Sequence, residues 1–204
     1  MKRIGILLLL AFMICGNVLS QTSWDKISCG SWAEIYLPIT MEVQAGIYKK
    51  IIDQSKRHFS INAERIVFQQ KGLNDGNTGN TYVRVIIRKE FNDETFPDIN
   101  GISASDINDI NDAYQSMTKQ SMDNPTYPAK LIRWNKVNII QLNNARCINY
   151  SYIRQMGNNP QTYSEFYIFW RGNIQYSLNI EYWVSDSEKW KSDLAKCIQS
   201  FVLK

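Results

Sequence analysis

The sequence predicts an α+β protein: a three-layer α/β/α sandwich around an antiparallel sheet, with a C-terminal amphipathic helix packed on that sheet. Four β-rich segments follow one another between residues 131 and 183 with short polar turns, and such turns make neighbouring strands antiparallel. The segment 163–170 is apolar on both sides, so both faces of the sheet should be covered. An apolar stripe with helical spacing runs from Trp190 to Phe201, which predicts a helix packed against the sheet.

Length and composition favour one ordinary globular domain. The chain has 204 residues, of which 44% are hydrophobic and 21% are charged, which excludes disordered and collagen-like classes. Because no Pro-rich or Gly-rich linker interrupts it, we predict a single domain over residues 21–204. The formal net charge is only +4, and a charge this small and evenly spread does not favour nucleic acid as a partner.

Residues 1–20 have the pattern of a secretory signal peptide. A basic tip precedes an apolar run from Ile4 to Cys15, and small residues suit cleavage after Ser20. Lipidation of Cys15 is the less favoured alternative, because Ile14 stands where lipoprotein processing wants a small residue. No later apolar run is long enough for a membrane helix. We therefore expect a secreted or periplasmic protein without a membrane span.

The N-terminal half predicts two hairpins. Glu34 to Leu37 reads as a strand that a proline ends, with Met41 to Gln44 as its hairpin partner. Apolar spacing between Ala45 and Phe59 suits either a short helix or a packed loop. Arg65 to Gln70 and Tyr82 to Lys89 read as strands, and the turn-rich loop between them predicts the second hairpin.

A helix is predicted next, because Ser103 and Asp106 resemble a capping box and Asn124-Pro125 would end it. Its apolar face is expected to consist of Ile107, Ile110, Tyr114 and Met117. The four strands of the antiparallel meander that follows are expected at Leu131–Leu142, Arg146–Arg154, Tyr163–Arg171 and Ile174–Trp183.

The terminal helix is the clearest predicted element. Ser185 and Glu188 have the spacing of a second capping box. The face that this helix should bury consists of Trp190, Leu194, Cys197, Ile198 and Phe201.

This order of elements resembles the PsbP-like α/β/α sandwich, named for an extrinsic subunit of photosystem II. The segments that carry the resemblance are Glu34-Ile35-Tyr36-Leu37-Pro38, the strand pair from Tyr167 to Leu178, and the helix from Trp190 to Ser200-Phe201. They cover most of the chain after the leader as a pattern, without a diagnostic motif. The resemblance implies a small non-catalytic module with varied partners, and it transfers no active-site residues.

The sequence offers little for catalysis or metal binding, and we predict no catalytic residue, metal or cofactor. The only histidine, His58, lies in a basic stretch and is interpreted as a surface residue. Cys29, Cys147 and Cys197 have no metal-type spacing; they are interpreted as buried thiols, with a single disulfide as the alternative. The Asn/Gly-rich loop at 74–80 holds one carboxylate and is interpreted as a turn rather than a calcium loop.

Carboxylates are also scattered. Asp106, Asp109 and Asp112 are interpreted as a solvated helix face, and the sequence gives no reason for Glu165 and Glu181 to meet. A hydrolase that works through carboxylates with Tyr or Ser stays open as an alternative.

Aromatic residues are the remaining functional signal, because they crowd two adjacent strands and form either a core or a binding surface. The residues that we select as candidate ligand or partner contacts are Trp183, Tyr182, Trp170 and Tyr167. The predicted function is a secreted non-enzymatic binding or accessory module, for a partner protein or small ligand that the sequence does not identify. A structural subunit of a cell-envelope assembly is the other alternative.

Overall fold

The structure is a computed structural model that describes residues 23–44, 64–76, 81–123, 125 and 128–204. Some expectations fall outside these residues. They are the signal peptide at 1–20 with Cys15, the helix or loop at 45–59 with His58, and the part of the Asn/Gly-rich loop at 77–80.

Ten strands and two α-helices make up the described residues, an α+β composition dominated by sheet. The N-terminal strands are β1 (Trp24–Cys29), β2 (Ala33–Pro38), β3 (Met41–Val43), β4 (Glu64–Gln70) and β5 (Val83–Phe91). Helix α1 (Ala104–Met122) follows them. The C-terminal elements are β6 (Ala129–Leu142), β7 (Ala145–Met156), β8 (Thr162–Arg171), β9 (Ile174–Trp183), α2 (Ser187–Ser200) and β10 (Val202–Leu203).

Seven strands form one antiparallel sheet in the order β3-β4-β5-β9-β8-β7-β6. The predicted β4–β5 hairpin and the four-stranded meander β6 to β9 are confirmed. After β5 the chain crosses through α1 to the far edge and returns strand by strand, so that β9 pairs with β5. Neither described helix is long and apolar enough to cross a lipid bilayer.

The remaining strands form a separate three-stranded sheet in the order β1-β2-β10, where the sequence predicted one sheet only. The predicted pairing of Met41–Gln44 with β2 is wrong, because β3 pairs with β4 instead. The partners of β2 are β1 and β10. Alternation along a strand specifies which side is buried but does not specify the partner, so the switch of sheets between β2 and β3 leaves no local signal.

The seven-stranded sheet carries a hydrophobic cluster on each face. One face, here named the α2 face, packs against α2 and the small sheet through residues such as Phe68, Val85, Phe169 and Leu178. The opposite side, named the α1 face, packs against α1 through residues such as Ile148, Tyr150 and Ile168. Because side chains alternate along every strand, β7 and β8 contribute to both clusters, whereas β5 and β9 contribute apolar residues only to the cluster on the α2 face.

Helix α1 begins at the predicted capping box, in which the Ser103 Oγ accepts from the Asp106 N–H and the Asp106 carboxylate accepts from the Ser103 N–H. Buried Asn111 fastens the helix to a bulge in β6, where its Oδ1 accepts from Val137 N at 3.2 Å and from the Trp134 indole at 3.0 Å. The bulge removes the Val137 N–H from the β ladder, and Asn111 supplies the acceptor that it lacks.

The predicted apolar face of α1 is correct for three residues and wrong for Met117. Ile107, Ile110 and Tyr114 pack against the sheet, whereas Met117 is 63% exposed. The buried stripe continues through Thr118 to Met122 instead, because four residues from Tyr114 return to the same side of a helix.

The terminal helix buries Trp190, Leu194, Cys197 and, just beyond its end, Phe201, as predicted. Ile198, the fifth residue of the predicted face, is only partly buried. The predicted capping box of Ser185 with Glu188 is wrong. Residues Val184–Asp186 form a short 3-10 helix, and α2 begins at Ser187. The Asp186 carboxylate accepts from the Tyr82 N–H at 3.0 Å, so it connects the start of the helix to β5 rather than capping the helix.

Candidate functional site

A cleft of about 350 Å³ lies between α1 and the α1 face of the sheet. Side chains from β5, β7, β8 and β9 form its base, and α1 forms one side. Its lining consists of Arg88, Glu90, Tyr114, Met117, Thr118, Ser121, Tyr150, Tyr152, Phe166, Ile168, Gln175, Ser177 and Asn179. The volume lies in the range that proteins use for small molecules.

Stacked aromatic rings form one wall of the cleft. Tyr114 of α1 stacks on Tyr150 with ring centroids 5.0 Å apart, and Tyr150 stacks on Phe166 at 4.7 Å. Tyr152 and Trp134 continue the stack behind them. Burial raises the pKa of Tyr114 to about 12, with a further contribution from the negative charge of Glu90. These phenols therefore stay protonated at neutral pH and present hydroxyl groups beside flat apolar rings.

The opposite wall of the cleft is polar, and its side chains are linked to one another by hydrogen bonds. The Trp170 indole donates to Gln175 Oε1 at 3.1 Å, and Gln175 Nε2 donates to Glu90 Oε2 at 3.3 Å. The other Glu90 oxygen lies 3.5 Å from Arg88 Nη1. This chain fixes Gln175 and Glu90 so that the Arg88 guanidinium is held at the cleft.

Further along the α1 face, the buried carboxylate of Glu181 accepts several hydrogen bonds. Glu181 is 6% exposed, and its Oε2 accepts from the Tyr82 hydroxyl at 2.7 Å. Its Oε1 lies 3.4–3.5 Å from Ser164, Asn179 and Arg154 donors. A buried charge needs partners of this kind, so Glu181 is already occupied by the protein itself.

Two buried polar atoms near the cleft have no hydrogen-bond partner among the residues that the structure describes. They are Asn179 Oδ1, on a side chain that lines the cleft and is 8% exposed, and Arg65 Nε. Arg65 lies directly opposite Arg88 in the β4–β5 ladder, so both guanidinium groups belong to the same face of the sheet.

The four aromatic residues selected from the sequence do not come together. Tyr167 and Tyr182 are buried in the cluster on the α2 face. Trp170 is half-buried on the α1 face, where it stacks on Phe96 at 5.1 Å. Trp183 follows Tyr182 in β9 and so points to the α1 face, where it stacks on Tyr82 at 5.9 Å. Their contact with a ligand or partner stays a prediction.

Sequence reasoning missed most of the cleft. Arg88, Glu90 and Asn179 line the cleft but are not among the site residues that the sequence predicts. The available signal was the polar side of β9, where Gln175, Ser177, Asn179 and Glu181 alternate with buried residues. Where one strand of a covered sheet has a polar side, the layer that covers the sheet can leave an opening. The polar side of β9 lies at such an opening beside α1.

The strand carboxylates Glu90, Glu165 and Glu181 are not arranged for glycosidase-type acid/base chemistry. Glu165 and Glu181 lie on opposite faces, because Glu181 is paired with Ser164, the neighbour of Glu165. Glu90 and Glu181 share a face but pair with Gln175 and Arg84. Six residues of strand therefore separate them, roughly 20 Å at about 3.3 Å per residue. Paired catalytic carboxylates stand about 5–9.5 Å apart.

The part of the chain that the structure describes contains neither an exposed cysteine thiol nor a cluster of metal-binding side chains. Cys29, Cys147 and Cys197 are free and buried, as the sequence predicted. Burial raises the pKa of Cys29 to about 11 and the pKa values of the other two thiols to about 12. Nowhere among the described residues do three Asp, Glu, His or Cys side chains come together to hold a metal ion.

The α+β fold was compared with known proteins. No protein-family model matches the sequence, and no curated protein matches it either. The solution structure of cyanobacterial PsbP (CyanoP) from Synechocystis sp. PCC 6803 is similar over 92% of this chain and 96% of that chain, with a TM-score of 0.54 and 12% sequence identity. A crystal structure from Bacteroides thetaiotaomicron VPI-5482 overlaps 87% of this chain and 47% of that chain, with a TM-score of 0.44 and 10% identity.

The likeness to cyanobacterial PsbP shows a PsbP-like fold, in agreement with the resemblance found in the sequence. At this identity the likeness concerns the fold alone, and a shared fold does not carry a shared ligand or partner. The function must therefore be argued from the cleft.

Proposed function

We propose that the protein is an exported, non-enzymatic binding or accessory module that holds a small ligand in the cleft beside α1. The observation that carries this proposal is the cleft itself, with an aromatic wall, a fixed polar wall and an unpartnered buried acceptor on Asn179. Binding sites combine apolar surface with a few well-placed polar groups in this way.

The sequence predicts an aromatic sheet face as the binding surface, and this proposal keeps such a surface but assigns it to different residues. The aromatic residues that face the cleft are Tyr114, Tyr150, Tyr152 and Phe166, and they share the α1 face with Trp170 and Trp183. The α/β/α layering belongs to the same proposal and is supported by the two clusters of buried residues on opposite faces of the sheet. Export is supported by the leader pattern of residues 1–20.

The test uses a variant that narrows the opening of the cleft. Ser121 lies on α1, is exposed and lines the cleft, so Ser121→Trp should obstruct the cleft without burying a new group. Small molecules of neutral, cationic and anionic classes would be screened by their effect on the melting temperature of the protein. We expect at least one compound to stabilise the wild type and to lose that effect in Ser121→Trp.

The matched control is Gln120→Trp, an exposed position on the same helix that does not line the cleft. The stabilising compounds should act on this variant as they act on the wild type. If no compound of any class stabilises the wild type, or if Ser121→Trp responds as Gln120→Trp does, the cleft is not a ligand site. In the structural-subunit alternative, the purified protein would instead assemble into higher oligomers, as light scattering can measure.

A further inference from the structure

Three arginines gather on the polar side of the α1 face. Arg65 of β4 stands directly opposite Arg88 of β5. Arg84 lies on the same side of β5, four residues or two repeats of the pleat from Arg88, roughly 13 Å along the strand at about 3.3 Å per residue. We name these three residues the arginine cluster. Like charges placed directly opposite each other in a sheet destabilise it, so the arrangement needs an explanation beyond folding.

The two acidic residues on this face, Glu90 and Glu181, offset only part of the charge of the three arginines. Glu90 reaches Arg88 at 3.5 Å, but Glu181 is taken up by Tyr82, Ser164, Asn179 and Arg154. Arg65 forms no ion pair with any residue that the structure describes. Burial lowers the pKa of Arg65, and the charges of Arg88 and Arg84 add to this effect, which Glu181 and Glu90 offset only in part.

The chemistry of the cluster points to an anionic group. Guanidinium groups bind carboxylate and phosphate through paired N–H donors, and Arg88 lines the cleft while Arg65 stands next to it. Across the cleft the wall is a stack of aromatic rings, and such walls favour flat apolar bodies. Asn179 and Ser177 also line the cleft, and the Asn179 Oδ1 and the Ser177 hydroxyl can accept hydrogen bonds from a hydroxyl or N–H group of the ligand.

We infer that the ligand is a small aromatic anion, whose carboxylate or phosphate lies against Arg88 while its ring lies along the tyrosine-rich wall. The inference rests on the proposed function, because it names the ligand class of the same cleft. It requires three features together: the negative charge, the ring and a size near that of a single substituted ring.

Binding would be measured by calorimetry with probes that separate these features. 4-Hydroxybenzoate and phenyl phosphate carry a ring and a charge, 4-hydroxybenzamide is a neutral analogue of nearly the same shape, and acetate and inorganic phosphate carry charge alone. We expect at least one aromatic anion to bind about ten-fold or more tightly than the neutral amide and than the simple ions. The tighter of the two aromatic anions identifies the group as carboxylate or phosphate.

Arg88→Gln should weaken binding of the aromatic anion about ten-fold or more and leave the neutral amide unaffected. Arg88→Lys keeps the charge but removes the paired donors, so we expect an intermediate loss. Removing Arg88 also relieves the charge repulsion on Arg65, so the melting temperature should not fall. The control is Arg146→Gln, an exposed arginine that donates to Asn100 away from the cleft, and it should bind as the wild type does.

Each contrary result has a distinct meaning. If the neutral amide binds as tightly as the anions and Ser121→Trp abolishes its binding, the ligand class is wrong while the proposed function stands. If acetate or phosphate binds as tightly as the aromatic anions, the aromatic part of the inference is wrong. If no probe binds and the screen against Ser121→Trp is also negative, the proposed function fails with it.

Discussion

At the scale of single residues, Glu181 shows how this protein keeps a charge inside a sheet face. The carboxylate is nearly buried and accepts from a tyrosine hydroxyl at 2.7 Å, with three weaker donors on its second oxygen. Burial and the neighbouring carboxylate raise the pKa of Tyr82 well above its usual range, so Tyr82 remains a donor at every physiological pH.

Glu181→Gln should destabilise the protein by about 1–3 kcal/mol. The amide would turn an NH₂ group toward donors on one side, and Arg154 would lose its counter-charge. Urea unfolding at pH 7 measures the loss, with Glu94→Gln as the control, because Glu94 is exposed in the loop after β5. Equal unfolding midpoints for the two variants would contradict the role assigned to Glu181.

The buried thiols predict how stability depends on alkaline pH. Their folded pKa values of about 11 and 12 lie above the ordinary thiol value, so above about pH 8.5 the unfolded chain releases protons that the folded chain retains. Stability is therefore unaffected by these thiols below that pH. Above it, stability falls by up to about 1.4 kcal/mol per pH unit for each thiol, until the folded thiol titrates.

Cys147→Ala tests this dependence in reducing buffer. The variant should lose less stability than the wild type between pH 8 and pH 10, as measured by urea unfolding at each pH. Identical slopes for the two proteins would show that the Cys147 thiol does not stay protonated in the fold.

At the scale of elements, α2 joins the two sheets because its buried side packs on β9 and on β2. Trp190 is the largest residue of that side, is 3% exposed, and donates from its indole to Thr81 Oγ1 at 2.7 Å. The helix therefore packs against both sheets, and Trp190 fastens its first turn to the segment before β5.

Trp190→Ala should cost about 3–5 kcal/mol of stability, because it leaves a large cavity in the hydrophobic cluster on the α2 face. The neighbouring exposed residue provides the control: Lys191→Ala should change stability by less than about 0.5 kcal/mol. Thermal or urea unfolding measures both. A loss below about 1 kcal/mol for Trp190→Ala would contradict the packing role assigned to this side chain.

The elements also show what could be predicted from the sequence. The meander and both helices follow from local periodicity, because alternation and helical spacing are properties of neighbouring residues. The three-residue strand β3 and the two-residue strand β10 owe their partners to contacts far along the chain, which no local pattern encodes. For the same reason, the sequence does not predict the cleft. Arg65, Arg88 and Asn179 are brought to one region of the α1 face only by the registers of β4, β5 and β9.

At the scale of the whole molecule, we expect the centre of the large sheet to be the region most protected from amide exchange. The β5–β9 ladder pairs nine residues on each strand, with packed side chains on the α2 face. The edge strand β3 pairs only three residues with β4.

Hydrogen exchange followed by mass spectrometry should find the slowest amides in β5, β8 and β9 and much faster exchange in β3. Exchange from well-paired central strands requires global opening, whereas edge strands open locally. Trp190→Ala should accelerate exchange in the central strands in proportion to its loss of stability. Equal protection of β3 and β9 would contradict this hierarchy.

The pairing of β10 with β2 has a consequence for biosynthesis. Ala33 and Glu34 of β2 pair with Leu203 and Val202 of β10. The backbone hydrogen bonds between these two strands therefore cannot form until residues about 170 positions later have been synthesised. While the ribosome's exit tunnel still encloses Val202 and Leu203, the smaller sheet cannot be completed, so the nascent chain does not reach its native state until both residues have left the tunnel.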